Sequence, residues 1–447
     1  MNDTIAAIST ARGEGAISII RVSGSDAINI VNPLFKEKDL TKVSSHTINY
    51  GHIIYKDEII DEVLLSIMKA PKTYTTEDII EINTHGSIAV VNKIMEILLL
   101  SGCRLAEPGE FTKRAFLNGR MDLTESEAVM DLINSETELT RKMAINGISG
   151  KVCKLITDLR DQIVALIANI EVNIDYPEYD DIEVVTINKI KQETTIMKEK
   201  LLNILKLSED GKVLKDGIKT VILGKPNVGK SSLLNALLEK EKAIVTSVKG
   251  TTRDIVEGSI IVRGVKLNLI DTAGVRKSND IVEKIGIEKS ISLIDEAQLV
   301  LLVLDASEEL SSEDKFLLDK TKDKKRIVIM NKDDLNKNNS YNEEVIKISA
   351  KNNVGIDEIK EKIKDLFNVG TFLNNNLTFF TNARQIALLK SAIESLDDVI
   401  KATNDNLEID MIEIDLKLVW ERLGDIIGAN YTEELVDNLF SRFCLGK

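Results

Sequence analysis

Residues 224–231 read Gly-Lys-Pro-Asn-Val-Gly-Lys-Ser and fit the pattern G-x-x-x-x-G-K-[ST]. The apolar run at 219–223 predicts a short strand before this loop, and residues 231–238 predict a helix after it. In that setting the backbone N–H groups of the loop and the helix N-terminus face phosphate oxygens. A glycine-rich turn without such a role is the alternative, but the full spacing between a strand and a helix argues against it.

Two side chains of this loop carry the expected chemistry. Lys230 is placed to reach the β- and γ-phosphates of a nucleotide, and Ser231 is placed to bind Mg²⁺. The residues of this region that we assign to the nucleotide are Asn227, Val228, Gly229, Lys230, Ser231 and Ser232.

Two motifs that sense the γ-phosphate follow in order. In the loop at 250–254, Thr252 is expected to complete the Mg²⁺ shell. The tetrapeptide Asp271-Thr272-Ala273-Gly274 follows a predicted strand at 265–270, and its aspartate can hold Mg²⁺ through water.

Two further motifs indicate which base is bound. Residues 299–304 and 326–330 are apolar runs typical of buried parallel strands, and the second ends in Asn331-Lys332-Asp333-Asp334. The Asp334 carboxylate can accept from N1–H and the 2-amino group of guanine, a donor pair that adenine lacks. Ser349, Ala350 and Lys351 follow another short strand and support the base from the other side. Five ordered motifs therefore predict a GTP-specific α/β domain at 216–370.

The group that assists hydrolysis is less evident. Many switch GTPases place a glutamine directly after the Asp-x-x-Gly motif to position water, whereas this chain has Val275. Hydrolysis must then recruit another group, a partner or a further cation. The amide oxygen of Asn227 suits a monovalent cation. Asp280 and Glu283 are nearby carboxylates, and on the sequence alone a solvated charge is the simpler interpretation of each.

Composition limits the class of protein. A length of 447 residues suggests about three domains. The net charge of −14 leaves no broad basic face, so an RNA contact would need a local patch or a partner. The three cysteines have no zinc or disulfide spacing. We find no signal peptide and no apolar run of ~18 residues, and expect a cytoplasmic protein without a membrane segment.

The flanking segments differ from the nucleotide domain. Residues 1–119 predict a compact α+β domain, with strands at 17–22, 47–55, 63–68 and 79–83 and a helix at 87–100. Within it, Arg21 and Glu81 fall in strand-like runs, where a solvent-facing charge is the simpler interpretation. The segments 120–215 and 371–447 predict helices, among them one at 186–207 that ends at Ser208-Glu209-Asp210-Gly211. We therefore expect the nucleotide domain to be inserted into one helical domain.

Several stretches together resemble the MnmE/TrmE family of tRNA modification GTPases over the whole chain. The N-terminal ones are Asp-Thr-Ile-Ala-Ala-Ile at 3–8, Arg-Val-Ser-Gly at 21–24 and Pro-Gly-Glu-Phe-Thr-Lys-Arg-Ala-Phe-Leu-Asn-Gly at 108–119. The phosphate loop with Asn227, the Gly-Thr-Thr-Arg-Asp motif and the Cys-Leu-Gly-Lys terminus complete the resemblance.

The resemblance implies a multidomain α+β and α/β architecture. It comprises a folate-binding N-terminal domain that also mediates homodimerisation (1–119), a discontinuous all-α domain (120–215 and 371–447) and an inserted Ras-like GTPase domain with a mostly parallel sheet (216–370). Family members act with an FAD-containing partner of the MnmG type, in a heterotetramer or larger complex. They add an aminomethyl or carboxymethylaminomethyl group to carbon 5 of the wobble uridine, position 34, of certain tRNAs. A tetrahydrofolate derivative such as 5-formyltetrahydrofolate is the implied one-carbon source.

The resemblance also assigns residues. Folate contacts are implied for Arg21, Glu81, Arg120 and Lys447. Family GTPase domains pair across the dimer and use K⁺, whose implied ligands here are Asn227, Thr246, Val248 and Thr251. Glu283 matches the water-orienting glutamate. The resemblance also adds loop residues to those that we assign to nucleotide binding, namely Thr246, Ser247, Val248, Lys249, Gly250 and Thr251.

Alternative interpretations stay open for the role of Cys444 and for the overall function. A thiol near the chain end can be a nucleophile, although a buried or idle thiol is commoner. A ribosome-assembly GTPase that acts as a binding switch is the alternative function, since related GTPase domains do that work. A metabolic kinase would have no use for Asn331-Lys332-x-Asp334.

Overall fold

The structure is a computed structural model that describes residues 3–175, 187–238, 256–270, 292–335, 344–373 and 377–447. The chain divides into two compact units. Unit 1 comprises Met1–Met130, Ile148–Ile187 and Ala402–Lys447, and unit 2 comprises Asp131–Gly147 and Asn188–Lys401. None of the helices in the described ranges is long and apolar enough to cross a membrane.

Unit 1 contains a six-stranded sheet in the order β3-β4-β5-β2-β1-β6. Neighbouring strands are antiparallel except β1 and β6, which are parallel. Alternating burial along β5 shows that one face of the sheet meets the core. The strands are β1 (Ile5–Ile8), β2 (Gly15–Ser23), β3 (Thr47–Tyr55), β4 (Glu58–Met68), β5 (Ile79–Gly86) and β6 (Arg104–Leu105).

The core of unit 1 forms between this sheet and its first long helix. The helix buries Val91, Ile94 and Leu98, which recur at three and four residues and so share one side. The α-helices of the described residues include, in order, α1 (Ala27–Val31), α2 (Ile88–Leu100), α3 (Glu110–Leu117), α4 (Leu123–Ile133), α5 (Glu138–Ile148), α6 (Lys151–Asp175), α7 (Ile187–Asp216), α8 (Lys230–Leu238), α9 (Ser312–Lys320), α10 (Ile356–Leu366), α11 (Val369–Phe372), α12 (Ala383–Asn404), α13 (Ile409–Ile427) and α14 (Glu433–Phe440).

Unit 2 is built on a second six-stranded sheet, in the order β12-β11-β10-β7-β9-β8. All its neighbours are parallel except β8 and β9. Strand β10 is buried along its whole length, as its continuous apolar run predicts for a strand covered on both faces. The strands are β7 (Ile218–Leu223), β8 (Val256–Val262), β9 (Val265–Ile270), β10 (Leu299–Asp305), β11 (Arg326–Asn331) and β12 (Ile346–Lys347).

The predicted fold class is confirmed. The chain contains a mostly antiparallel sheet with helices, several long helices, and a mostly parallel sheet that carries the phosphate loop. The predicted end of a helix at 208–211 is wrong, because α7 continues to Asp216. Gly211 is buried there, and a Cβ on it would lie 3.2 Å from ring atoms of both Phe372 and Phe379. The glycine therefore permits close packing against two aromatic rings and does not end the helix.

Candidate functional site

The phosphate loop joins β7 to α8 at the carboxyl edge of the parallel sheet. Gly224 and Gly229 have left-handed φ angles of 142° and 96°. A Cβ at Gly224 would lie 2.2 Å from the Val303 carbonyl oxygen, and one at Gly229 would lie 2.2 Å from Asn331 Nδ2. Both positions therefore require glycine for conformation and for space. Asn227 also has a left-handed φ, of 63°, and its side chain is exposed.

Lys230 lies over this loop at the start of α8. Its Nζ donates hydrogen bonds to the carbonyl oxygens of Gly224, at 2.6 Å, and Lys225, at 2.9 Å. Burial lowers the pKa of the Lys230 ammonium. Ser231 and Ser232 follow it in the first helical turn and are exposed. An ammonium group, exposed hydroxyls and a helix N-terminus thus lie at one position, which suits a phosphate chain.

Asn331 connects the phosphate loop to the segment at 349–351. Its Nδ2 donates to the Val228 carbonyl oxygen at 2.7 Å, and its Oδ1 accepts from the Ala350 N–H at 3.0 Å. The side chain is buried. Ser349 closes the second segment through reciprocal backbone hydrogen bonds with Val354, both 3.1 Å long. Asn331 thus connects the loop at 224–230 and the loop at 349–354 to one strand end.

Lys332 and Asp334 follow Asn331 at this strand end. The Lys332 Nζ contacts Asp305 Oδ2 at 2.6 Å. The Asp334 side chain is exposed in a 3₁₀ turn, Asp333–Leu335, and Lys351 is also exposed. The exposed carboxylate of Asp334 is therefore available to donor groups on a base.

Asp305 was not among the residues predicted from the sequence. It closes an otherwise apolar strand, and that single acidic residue at the carboxyl end of a buried strand is the signal that identifies it. Burial alone would raise the pKa of Asp305, but hydrogen bonds from Lys332 and Ser307 outweigh burial and hold the pKa below its ordinary value.

A second polar site lies on the sheet of unit 1. Arg21 on β2 is paired in register with Glu81 on β5. Its Nε and Nη2 contact Glu81 Oε1 at 2.9 and 2.8 Å. The guanidinium carbon lies 5.9 Å from the ring centre of Tyr74 and 5.5 Å from that of Phe111. The two charged strand residues therefore pair with each other and do not simply face solvent.

The C-terminal residues reach the same place. Arg21 Nη1 donates to the Gly446 carbonyl oxygen at 3.3 Å, and the Ser9 hydroxyl donates to the same oxygen at 3.2 Å. Leu445 and Tyr74 both pack against a buried cluster that includes Phe111. Lys447 is therefore one residue from a direct contact of Arg21.

Arg120 and Cys444 complete the set of predicted residues near this pair. The Arg120 guanidinium carbon lies 4.8 Å from the Tyr74 ring centre, and its Nη1 donates to the Tyr74 carbonyl oxygen at 2.9 Å. The Cys444 side chain is exposed. Its carbonyl oxygen accepts from the Gly109 N–H at 3.2 Å. The four residues with implied folate contacts are thus gathered around Tyr74 and the chain terminus.

Comparison with family models covers nearly the whole chain. The model described as the GTP-binding protein TrmE N-terminus matches residues 4–120, and the model of the MnmE helical domain matches residues 123–444. The chain belongs to the MnmE/TrmE family of tRNA modification GTPases.

Full-length relatives agree with this family. A tRNA modification GTPase MnmE of Streptococcus thermophilus (strain CNRZ 1066) is 51% identical over 450 residues, covering 100% of this chain and 98% of the relative. One of Bacillus thuringiensis (strain Al Hakam) is 52% identical over 456 residues, covering 100% and 99%. The solved G domain of the T. maritima FeoB iron transporter is similar at 28% identity, over 33% of this chain and 98% of that chain, with a TM-score of 0.25. This MnmE family member is a GTP-hydrolysing enzyme.

Part of the nucleotide site of this MnmE family member lies outside the described residues, so the roles predicted there stay predictions. The residues concerned are Thr246, Ser247, Val248, Lys249, Gly250, Thr251, Thr252, Asp271, Thr272, Ala273, Gly274, Asp280 and Glu283. Among the residues that the structure does describe, no three histidines, cysteines, aspartates or glutamates form a group suited to a metal ion.

Proposed function

We propose that this GTPase acts with an FAD-containing partner to add an aminomethyl or carboxymethylaminomethyl group to carbon 5 of the wobble uridine of certain tRNAs. The observation that carries the proposal is the Arg21–Glu81 pair, which the C-terminal residues meet through Gly446. The relatives that match over the full chain are named tRNA modification GTPases. GTP hydrolysis in unit 2 drives the cycle of that modification.

The residues around Arg21 suit a tetrahydrofolate derivative. A carboxylate such as Glu81 accepts hydrogen bonds from the ring N–H and amino groups of a reduced pterin, and a guanidinium donates to its oxygen. Tyr74 offers an aromatic face, and Arg120 and Lys447 add positive charge for an anionic ligand. When bound, the folate supplies the one-carbon unit. The chain's own residues bind and orient that molecule.

The residues of the phosphate loop suit GTP with Mg²⁺ and K⁺. Ser231 would hold Mg²⁺, and Asn227, exposed in a left-handed conformation, offers an amide oxygen for K⁺. Thr252 would complete the Mg²⁺ shell, and Thr246, Val248 and Thr251 the K⁺ shell. A bound K⁺ supplies positive charge beside the phosphates. Glu283 would orient the attacking water. In many switch GTPases a glutamine has this role, at the position where this chain has Val275.

The homodimer is supported by an apolar face of unit 1. Ile48 and Tyr50 on β3 are 67% and 58% exposed, and Leu64 on β4 is 44% exposed. Ile48 lies in register with Ser66, Glu81 and Arg21 across the sheet, so these side chains share one face. An exposed apolar patch that continues from the candidate folate site indicates an interface. We propose that a second copy covers it when the GTPase cycles.

The experiment that tests the modification is mass spectrometry of tRNA nucleosides from cells with and without this gene. We expect a carbon-5-modified wobble uridine to disappear in the absence of the gene. The intact gene should restore it, and Glu283→Gln should not. An unchanged nucleoside profile in cells without a second copy would reject the modification. Co-sedimentation with ribosomal subunits would then favour a ribosome-assembly switch.

The folate site has its own test in the full-length chain. We expect 5-formyltetrahydrofolate to bind the wild type, and Arg21→Gln to weaken binding at least about tenfold, because Glu81 loses its guanidinium partner and the Gly446 carbonyl oxygen loses one of its two donors. Lys72→Gln is the matched control, since it removes an exposed charge from the segment before Tyr74. Equal binding by Arg21→Gln and wild type would reject this site.

A further inference from the structure

The Asp305 carboxylate is held on both of its oxygens. Oδ2 accepts from Lys332 Nζ at 2.6 Å, while Oδ1 accepts from the Ser307 N–H at 2.9 Å and the Ser307 hydroxyl at 2.6 Å. The residue is 6% exposed. A carboxylate with three donors in a buried setting stays ionised and fixed, so it offers a constant partner to one ammonium group.

The backbone beside this ion pair is also tied down. The Ala306 N–H donates to the Asn331 carbonyl oxygen at 2.8 Å. Lys332 has a left-handed φ of 65°, which a residue with a side chain adopts only when its surroundings enforce it. Two contacts therefore join the ends of β10 and β11: the backbone hydrogen bond from Ala306 to Asn331 and the Asp305–Lys332 ion pair.

Lys332 lies in the sequence between Asn331 and Asp334, each of which has a role in the nucleotide site that we assign. Asn331 before it fixes the phosphate loop, and Asp334 after it presents the carboxylate that suits the guanine edge. Because Asp305 holds the ammonium group, the four-carbon stem of Lys332 is restricted to the path between its Cα atom and the Asp305 carboxylate. A lysine stem fixed in this way offers an apolar strip to the face of a flat base, while its charged end stays paired.

We propose that Asp305 is a positioning residue for guanine nucleotide binding, which acts by holding the Lys332 side chain against the face of the base. In this proposal Asp305 acts only through Lys332 and makes no contact of its own with the phosphates or with the hydrogen-bonding edge of the base. Its contribution should therefore be the same for any purine that presents a similar flat face, and should be absent for ligands without a base. The proposal rests on the assignment of Asp334 to the guanine edge.

The first test compares nucleotides in the full chain. Asp305→Asn keeps an oxygen for Ser307 but loses the charge that holds Lys332. We expect it to weaken GDP about tenfold and IDP, which lacks the 2-amino group, by the same factor. Competition by inorganic triphosphate should not change. Asp319→Asn, an exposed carboxylate on α9, is the control and should match wild type. Unchanged GDP binding, or equal weakening of triphosphate, would overturn the proposal.

The second test is a double-variant cycle with Lys332→Met, which keeps the stem and removes the ammonium. Once that group is gone, Asp305→Asn should have little further effect on GDP affinity. Additive losses would show that Asp305 acts by another route and would overturn the proposal. Asp334→Asn tests the underlying assignment separately: it should remove the preference for GDP over IDP. A retained preference in that variant alone would reject the role of Asp334 at the guanine edge.

Discussion

The side-chain amide of Asn331 donates a hydrogen bond to the Val228 carbonyl oxygen across 2.7 Å, which links the end of β11 to the loop between β7 and α8. The same side chain accepts from the Ala350 N–H, so one buried amide serves two loops. The loop predicted to bind phosphate and the loop predicted to bind the base are therefore both held by the Asn331 side chain.

Asn331→Ala tests this support. The change leaves the Val228 carbonyl oxygen and the Ala350 N–H without their side-chain partner, which should lower the free energy of unfolding of unit 2 by ~1–3 kcal/mol. We also expect GDP affinity to fall at least about tenfold, since both loops lose their fixed position. Titration with fluorescent GDP and urea denaturation measure the two effects. Asn352→Ala, an exposed neighbour, is the control. Wild-type affinity in Asn331→Ala would contradict the idea of a shared support.

Gly446→Ala tests the contact of the C-terminal residues with Arg21. Gly446 has a φ of 85°, and a Cβ on it would lie 2.5 Å from the Ile8 carbonyl oxygen. The added methyl group should displace the terminus, so that Arg21 and Ser9 lose their shared acceptor. We expect weaker binding of 5-formyltetrahydrofolate, measured by calorimetry, with GDP affinity unchanged. Gly258→Ala, where a Cβ meets no atom of the described residues within 4 Å, should behave as wild type.

Glu110 should make the stability of unit 1 depend on pH. Burial raises the pKa of Glu110, but hydrogen bonds from Arg104, the Glu107 N–H and Arg114 outweigh it and hold the pKa below its ordinary 4.5. A carboxyl with a depressed folded-state pKa stabilises the fold above pH 4.5, and that stabilisation is lost as pH falls through the lowered value.

Glu110→Gln is the corresponding variant. At pH 7 it should lower the free energy of unfolding by ~3 kcal/mol, because the buried Arg114 loses a carboxylate partner. The difference from wild type should shrink as pH falls below 4.5. Fluorescence of Trp420, the single tryptophan, reports on unit 1. Glu107→Gln, an exposed carboxylate three residues away, is the control. A difference that is the same at pH 3 and pH 7 would contradict the assignment.

Gly211→Val tests the packing of α7. The branched side chain would enter the space that Phe372, Phe379 and Met143 fill, and overpacking of this kind should destabilise unit 2 by ~1–3 kcal/mol. Circular dichroism in urea measures the change. Asn203→Val places the same residue at an exposed position of α7 and controls for helix propensity. Equal stability of the two variants would show that Gly211 has no packing role.

Local sequence patterns predicted those parts of the fold whose signal is local. The strand expected at 47–55 is β3, residue for residue, and the parallel pairing of 299–304 with 326–330 is confirmed. The pattern failed at Gly211, because a glycine selected for packing against distant rings looks the same as one that ends a helix. Only the tertiary contact distinguishes them.

The two candidate sites also combine features that a local sequence pattern predicts with features that only tertiary contacts determine. The phosphate loop follows from spacing alone, whereas the contact between Arg21 and Gly446 joins residues 425 positions apart, for which no local pattern exists. Asp305 was missed for a related reason. Its role depends on Lys332 in the next strand, and the two become neighbours only when β10 and β11 pair.

The composition of unit 1 from three separate stretches of chain has a consequence for biosynthesis. A ribosome completes unit 2 when residue 401 emerges, while unit 1 still lacks Ala402–Lys447, which includes α13, α14 and the terminus that contacts Arg21. At ~5–20 residues per second, the first 130 residues wait on the order of ten seconds or more for these partners. The nucleotide-binding unit can therefore be complete on the nascent chain before all the residues that form the Arg21 site have emerged.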